Sequence, residues 1–410
     1  MAHLRCSSPS CATTLDLHER ALACPVCGDL LEVVIDTNGL SPEALRRTWL
    51  ERRSSQDPRN VSGVWRFRDL LPESYDASGI VTLAEGNTPL IRGRRTAEWA
   101  GANNLWFKHL GWNPTGSFKD LGMTAGISEA KYLGASAVAC ASTGNTAASL
   151  AAYAARAGMT AQVYLPAGQA SNNKLAQAVD FGAEIVQVEG SFDDALETLL
   201  HAGDPRLYFL NSINPFRIEG QKTAMVELFE QLGWRVPDYL FVPGGNLGNS
   251  SSFGKAFREL IALGLIDRAP RMMVVQARGA NPLARMWEAG ARELTPLAKP
   301  ETVATAIRIG NPRSWKKAIA AVEATGGAVL DVGDEEIGEA KAAIGSDGIG
   351  CEPASATTLA GIRKMIGAGQ LDRDATLAAV LTGHALKDTD YIIRHETRPA
   401  KHVLTAADVR

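Results

Sequence analysis

The sequence predicts an α/β protein built on parallel sheets. From about residue 104 onward, apolar runs of strand length alternate with helix-like stretches. The pairs 136–141 with 145–157, and 160–165 with 171–181, show this alternation clearly. Strands separated by helices form parallel sheets that are covered on both faces, and ligands bind at the carboxyl ends of such strands. Further strand candidates are 105–109, 184–188, 207–210, 239–242, 272–276 and 376–381.

Length and composition indicate a multidomain globular protein that has neither a nucleic-acid partner nor a membrane partner. The chain has 410 residues, which at roughly 100–200 residues per domain predicts two or three domains. Hydrophobic residues make up 45% and charged residues 21% of the chain, and the formal net charge is −3. No apolar run reaches the ~18 residues of a membrane span, and the start of the chain lacks the apolar region of a signal peptide. A cytoplasmic location is therefore expected.

Residues 1–40 are predicted to form a separate, zinc-ribbon-like module. Cys6 and Cys11 form one cysteine pair, and Cys24 and Cys27 form a second. Four thiolates held on two turns bind zinc in a closed tetrahedral site, which is structural rather than catalytic. A reducing compartment argues against disulfides. The spacing of the first pair is wider than that of a tight zinc knuckle, so four unmetallated thiols are the alternative.

Residues 113–120 form a loop that ends in a lysine at a predicted helix start. Proline and glycine mark a turn after the strand 105–109, and Ser117 is placed to cap the helix that follows. Lys119 then lies in the first helical turn, where the positive end of the helix dipole lowers the pKa of an amine. A deprotonated lysine is what Schiff-base chemistry needs, and the alternative is a surface lysine at a helix start.

Two further loops offer backbone N–H groups to an anion. Residues 141–147 bring hydroxyls and backbone N–H groups together after a strand, and Asn145 offers an amide to a ring substituent. For this loop the alternative is ordinary helix capping. Residues 242–250 are rich in glycine but have neither the G-x-G-x-x-G spacing nor the ending of a P-loop. A single small phosphate therefore fits this glycine loop better than a nucleotide.

A hydroxyl residue, Thr382, follows the last predicted strand, 376–381. At the carboxyl end of a parallel strand its side chain can face a bound ligand. The alternative is a simple cap on the strand end.

Taken in chain order, the lysine loop, the Ser-Thr-Gly-Asn loop, the glycine loop and the terminal hydroxyl resemble the β-family, or fold type II, of pyridoxal 5'-phosphate (PLP) enzymes. Within that family the chain is most similar to the threonine synthases, over residues 107–123, 211–223, 85–90 and 352–356. The resemblance implies a tryptophan synthase β-like fold, with two parallel-sheet α/β domains and the active site between them. The expected domains are the module 1–40, a large PLP-binding domain of 41–111 with 212–410, and a small domain of 112–211.

The resemblance assigns the cofactor-binding residues. Lys119 would hold PLP as a Schiff base and later act as the acid/base. Asn145 would hydrogen-bond the PLP 3'-oxygen, and Thr382 would face the pyridine nitrogen. A neutral hydroxyl there does not protonate the nitrogen, which favours elimination and replacement over transamination. The cofactor phosphate would be held by Gly245, Asn246, Leu247, Gly248 and Asn249.

The resemblance also implies the substrate, O-phospho-L-homoserine, which reacts with water to give L-threonine and phosphate. An arginine fork suits a phosphate dianion, so Arg217 is the main candidate for the substrate phosphate, with an ordinary helix-surface charge as the alternative. Lys108 is a weaker candidate. The predicted substrate-binding set is Ser142, Thr143, Thr146, Asn211, Ser212 and Arg217. A homodimer is the expected assembly.

Two other functions stay open at this point. A threonine/serine dehydratase, or another β-replacement enzyme of the same fold, should lack the set formed by Asn211, Ser212 and Arg217. A catalytically dead PLP-binding or regulatory protein, with the zinc ribbon as a docking arm, belongs to a different class. The intact Lys119 speaks against it.

Overall fold

Two parallel sheets flanked by helices form the body of the protein, which confirms the predicted α/β class. The computed structural model describes residues 2–72, 75, 77–142, 144–168, 172–190, 194, 197–199, 204 and 206–395. Their strands form one sheet of three strands, one of four and one of six. Within these ranges, no helix combines the length and the apolar character that crossing a membrane requires.

The cysteine module, residues 2–40, is a small antiparallel sheet. β1 (His3–Cys6) lies between β2 (Thr14–Asp16) and β3 (Leu31–Val34). Leu4 and Leu31 are fully buried in its core. α1 (Pro42–Arg53) and α2 (Pro58–Val61) follow the module. α1 begins after Ser41, whose hydroxyl accepts a hydrogen bond from the Ala44 N–H. Serine is a preferred N-cap residue because its hydroxyl can accept such a bond.

From residue 90 onward, helices separate most of the strands, as the apolar pattern predicts. The first half of the body contains β4 (Leu90–Arg92), α3 (Arg95–Ala100), β5 (Asn104–His109), α4 (Lys119–Tyr132), β6 (Ala137–Ala141), α5 (Asn145–Ala157), β7 (Thr160–Pro166), α6 (Asn172–Asp180), β8 (Glu184–Val188) and β9 (Leu207–Phe209). The second half contains α7 (Pro215–Gln231), β10 (Tyr239–Pro243), α8 (Gly248–Ala262), β11 (Arg271–Ala277), α9 (Pro282–Glu288), α10 (Trp315–Ala324), β12 (Ala328–Val332), α11 (Asp334–Ser346), α12 (Pro353–Gly367), β13 (Thr376–Leu381) and α13 (Thr389–His395).

The first two strands of the body, β4 and β5, belong to the larger sheet, β6 to β9 form the smaller sheet, and β10 to β13 complete the larger one. The larger sheet has the order β12-β11-β10-β13-β5-β4 and is parallel except for β4, which pairs antiparallel with β5. The smaller sheet has the order β8-β7-β6-β9 and is parallel throughout. For these units we propose the domain division into 1–40, 41–111 with 212–410, and 112–211.

Strand β10 shows how both faces of the larger sheet are covered. Leu240 and Val242 point into a core that includes α7 and α8. Phe241 points the other way, into a core that includes α11 and α12. All three side chains are fully buried. A strand covered on both faces is a continuous apolar run, which is the pattern that the sequence has here.

α4 and α7 cross so closely that only glycine fits between them. A Cβ atom on Gly220 would lie 1.8 Å from the carbonyl oxygen of Leu121, and one on Gly122 would lie 2.7 Å from the carbonyl oxygen of Arg217. The two backbones are therefore in direct contact one turn from the start of each helix. This crossing brings Lys119, the first residue of α4, near Arg217.

Replacing Gly220 by alanine is expected to lower the free energy of unfolding by about 1–3 kcal/mol, because a backbone carbonyl cannot move aside as a flexible side chain can. Urea denaturation measures the change. Gly345 in α11 is a matched control, since a Cβ atom there would meet nothing within 4 Å. Its alanine variant should be unchanged, or more stable by roughly 0.5–1 kcal/mol. An equal loss of stability in both variants would contradict the close crossing.

Candidate active site

The lysine loop is fastened to the loop that follows β13. Ser117 and Gly383 form an isolated antiparallel bridge. The Phe118 N–H donates to the carbonyl oxygen of Thr382 at 2.9 Å, and the His384 N–H donates to the carbonyl oxygen of Gly116 at 2.9 Å. These bonds hold the start of α4 beside Thr382, at the carboxyl end of the larger sheet.

Lys119 lies where a charged amine is disfavoured. Burial and the nearby Arg217 cation lower its pKa to about 7, while Glu352 acts in the opposite direction. The sequence predicts a lowered pKa from the helix dipole, but burial is the largest cause. The prediction that Ser117 caps α4 is wrong, because the N-cap residue is Phe118 and it makes no side-chain bond to the helix. Held in the bridge to the β13 loop, the Ser117 hydroxyl accepts only a long hydrogen bond, 3.4 Å, from the Lys119 N–H.

A buried carboxylate, Glu352, connects Asn145 and Thr382. The Asn145 amide donates to Glu352 Oε2 at 3.0 Å, and the Thr382 hydroxyl donates to Glu352 Oε1 at 3.0 Å. Burial raises the pKa of Glu352. The Ser355 hydroxyl accepts from the Thr382 N–H at 2.8 Å. Sequence reasoning gave Glu352 and Ser355 no role, although both lie in a stretch, 352–356, that carries the family resemblance.

The glycine loop places the start of α8 at the end of β10. Leu247 is the N-cap residue, with a φ of 65° and no side-chain bond to the helix. Residues other than glycine rarely adopt this left-handed conformation, so the loop is specially shaped. Ser250, in the first turn, is fully buried, and its hydroxyl has no partner among the residues that the structure describes. Backbone N–H groups and a free hydroxyl at a helix N-terminus suit a phosphate.

The two asparagines of the glycine loop use their side chains within the protein. The Asn246 amide donates to the Ser212 hydroxyl at 2.6 Å, and its oxygen accepts from the Arg313 N–H at 2.7 Å. The Asn249 amide donates to the carbonyl oxygen of Pro243 at 3.0 Å. These side chains therefore shape the loop, and an anion would be bound by the backbone and by Ser250.

Arg217 is a buried cation with no anionic partner among the described residues. It is 1% exposed, and its Nη1 donates to the carbonyl oxygen of Leu210 at 3.0 Å. Its Nε has no hydrogen-bond partner, and no carboxylate forms an ion pair with it among the described residues. Burial lowers the pKa of Arg217 to about 10. An unpaired buried charge is costly, so the site favours an anionic ligand.

The side chains of Asn211 and Ser212 both form hydrogen bonds within the protein. The Asn211 side chain accepts from the Ala141 N–H at 2.9 Å and donates to the Ala141 carbonyl oxygen at 3.2 Å. It therefore holds the end of β6 next to β9. The Ser212 hydroxyl accepts the bond from Asn246. In this geometry Arg217 Nε is a buried donor without a partner among the described residues, and the Ser212 O–H is also left to donate to a ligand.

The loop after β6 brings small polar groups to the same edge. The Ser142 hydroxyl accepts from the Gly144 N–H at 3.3 Å. A Cβ atom on Gly144 would meet nothing within 4 Å, so the backbone here is open to a ligand. Thr146 is half-buried in the first turn of α5. Thr143, predicted to bind substrate, lies outside the described residues.

Lys108 is not available to a phosphate. Its amine donates to Glu227 Oε1 at 2.7 Å, to the carbonyl oxygen of Thr88 at 2.8 Å and to Gln231 Oε1 at 2.9 Å. All three N–H donors of the ammonium group are used, and the side chain is fully buried. The weaker phosphate role predicted for this residue is therefore wrong.

The four amino-terminal cysteines converge. Their Sγ atoms all lie within 4.8 Å of one another. Cys6 and Cys27 are 3.4 Å apart, and Cys11 and Cys24 are 3.7 Å apart, measured between Sγ atoms. A tetrahedral site with Zn–S bonds of about 2.3 Å has S–S edges of about 3.8 Å, so the cluster has the right size.

The chain is similar to enzymes that use PLP. The family described as pyridoxal-phosphate dependent enzyme matches residues 81–383. Threonine synthase of Methanocaldococcus jannaschii is 46% identical over 397 residues, which is 95% of this chain and 95% of that protein. Threonine synthase of Methanosarcina acetivorans is 43% identical, over 96% of this chain and 94% of that protein. Among solved structures, maize serine racemase matches with a TM-score of 0.63 at 20% identity, over 76% of this chain and 94% of that one, a likeness of fold alone.

Proposed function

We propose that this protein converts O-phospho-L-homoserine and water into L-threonine and phosphate. The chain belongs to the threonine synthase family of pyridoxal-phosphate dependent enzymes. The observation that carries the substrate assignment is the buried Arg217, whose Nε has no partner among the described residues. The phosphate of the substrate would supply that partner, since a guanidinium binds a phosphate through charge-assisted hydrogen bonds.

The residues around Lys119 fit PLP. The Lys119 amine has a pKa of about 7, so much of it is neutral and able to form a Schiff base with the PLP aldehyde. The start of α8, with the Ser250 hydroxyl that has no partner among the described residues, suits the PLP phosphate. The Asn145 amide keeps a second N–H for the 3'-oxygen of the ring, and the Thr382 hydroxyl would donate to the ring nitrogen after turning its one O–H away from Glu352. When bound, PLP supplies an electron sink for the carbanion chemistry of an amino acid.

The residues of the chain have separate roles in proton transfer and in holding the cofactor. Lys119 would hold the cofactor covalently, and its amine would remove and return protons at the substrate carbons. Because the pKa is about 7, a large share of this amine is neutral at pH 7. Glu352 acts on Asn145 and Thr382 rather than on substrate, since its carboxylate accepts hydrogen bonds from both side chains. Gly245, Leu247 and Gly248 would contribute the backbone that holds the cofactor phosphate.

The proposal is tested by supplying the PLP-loaded protein with O-phospho-L-homoserine and measuring inorganic phosphate and threonine. Equal amounts of both products are expected. L-Threonine and L-serine should give no 2-oxo acid, the product of a dehydratase. Activity on these two amino acids without phosphate release from the phosphoester would favour the dehydratase alternative and reject our proposal.

A second cofactor proposal concerns the cysteine module. The size of the thiol cluster supports a structural zinc bound by Cys6, Cys11, Cys24 and Cys27. The Ser8 N–H lies 3.4 Å from the Cys6 Sγ atom and would donate to the thiolate. No position is left for a water, so this zinc would take no part in the chemistry.

Protein purified without chelator is expected to contain about one zinc ion per chain by elemental analysis. Cys11→Ser should lose most of this zinc and unfold at a lower temperature, because metal-binding free energy contributes to folding. Cys351→Ser is the matched control, since this buried cysteine lies outside the cluster and its replacement should leave the zinc content unchanged. A zinc content near zero in the unaltered protein would contradict the proposal.

The predicted homodimer and cytoplasmic location complete the proposal. Light scattering coupled to gel filtration tests the first, and cell fractionation tests the second.

A further inference from the structure

The cysteine module contacts two separate parts of the body of the protein, α4 on one side and the helices α8 and α10 on the other. On one side, His18 Nδ1 lies 3.1 Å from Glu129 Oε1 of α4, and Arg20 Nη2 donates to the carbonyl oxygen of Leu133 at 2.8 Å. Glu129 is fully buried and the His18 side chain is 26% exposed, so this pair is partly shielded from solvent, whereas the Arg20 hydrogen bond is exposed. The module is thus tied to the helix that begins at Lys119.

On the other side, the body fixes strand β3 through two lysines. Lys255 Nζ of α8 donates to the carbonyl oxygen of Val33 at 2.6 Å, and Lys317 Nζ of α10 donates to that of Leu31 at 2.7 Å. Lys255 also forms a buried ion pair with Glu219 of α7. Charged hydrogen bonds in a buried setting are strong and directional, so the docking geometry of the module is well defined.

The segment that joins β9 to α7 lies under the module. Phe216 is 2% exposed, and Leu22 of the module packs, as does Ile213, against an apolar cluster that includes Phe209. The Phe216 ring belongs to the core of the module, together with Leu4, Cys6, Cys24, Leu31 and Val33. Two of the proposed zinc ligands therefore help to form the pocket that holds this ring. The next residue along the helix is Arg217.

We propose that the cysteine module acts as a clamp on residues 210–217 and thereby holds Arg217 in position for the substrate phosphate. Consecutive helical residues point about 100° apart, so one turn can present Phe216 to the module and Arg217 to the active site. The module lies outside residues 81–383, the part that the enzyme family shares. Phe216 is therefore a positioning residue for Arg217. The metal bound by the cysteines determines how rigidly the module holds the Phe216 ring. That Arg217 binds the phosphate of the substrate rests on the proposed function.

The test uses the full-length, PLP-loaded protein with Phe216→Leu and, separately, Cys11→Ser. Calorimetry gives the Kd for inorganic phosphate, and phosphate release gives KM and kcat for O-phospho-L-homoserine. Both Kd and KM are expected to rise about tenfold, which is less than the ~10²-fold cost of a misplacement of about 1 Å. The kcat should change by less than about twofold, as expected when binding is weakened equally in the ground and transition states.

Phe257→Leu in α8 is the matched control, because the same substitution in a core outside the module should lower stability and leave phosphate affinity unchanged. An unchanged Kd in Cys11→Ser freed of metal would overturn the clamp, and so would an equal rise in Phe257→Leu. If Phe216→Leu does not fold, the cysteine variant and chelator-treated wild-type protein decide the question. Wild-type protein that releases no phosphate from the phosphoester would overturn the proposed function, while the titration with inorganic phosphate would still decide the clamp.

Discussion

Lys119→Ala is expected to reduce phosphate release from O-phospho-L-homoserine by at least roughly 10⁴-fold, the upper end of what one positioned acid/base contributes. The variant loses both the covalent attachment of the cofactor and the amine that moves protons at the substrate. The steady-state rate is one measurement. The other is the amount of PLP that remains attached to denatured protein after mild borohydride treatment, which should fall to background.

A second lysine on the same helix provides the control. Lys131, in the last turn of α4, donates to the carbonyl oxygen of Ser78 at 2.7 Å at an exposed position. Lys131→Ala should therefore keep nearly full activity and full cofactor attachment. A Lys119→Ala protein that retained a tenth of the wild-type rate would rule out the proposed role.

Local patterns were sufficient for the architecture and for the positions of the active-site loops. The apolar runs predicted β6, β7, β10 and β13, and the residues directly after β6, β10 and β13 are candidate ligand-binding loops. The strands β1, β2, β4 and β12 were missed. β4 has only three residues, and its antiparallel pairing with β5 depends on a neighbour that sequence periodicity does not reveal.

The partners of the polar side chains could not be predicted from local patterns, because they come from distant parts of the chain. Glu352 is 207 positions from Asn145, yet the two side chains share a hydrogen bond. Lys108 looked free to bind phosphate, but Glu227 neutralises it inside the protein. The low pKa of Lys119 was predicted in the right direction, although the main cause, burial, is a property of the folded chain.

Arg217→Gln is expected to raise the KM for O-phospho-L-homoserine by roughly 10–10²-fold, because a charge-assisted hydrogen bond contributes about 1.5–3 kcal/mol. The KM of Arg217→Lys should lie between those of Arg217→Gln and wild type, since a lysine keeps the charge but lacks the planar fork. The control is Arg206→Gln, because Arg206 is exposed and pairs with Asp204 at 2.9 Å. A KM in Arg217→Gln equal to that in Arg206→Gln would contradict the assignment.

Two further consequences distinguish a ligand site from an ordinary structural arginine. Because the Arg217 cation helps to lower the pKa of Lys119 to about 7, its removal should raise that pKa. The neutral amine then predominates only at higher pH, so the midpoint of PLP capture by the apoprotein should move upward in pH. Arg217→Gln also removes a buried charge that has no ion-pair partner among the described residues, so the free energy of unfolding should stay constant or increase. A residue that supports the fold would show the opposite, since its loss would lower stability together with activity.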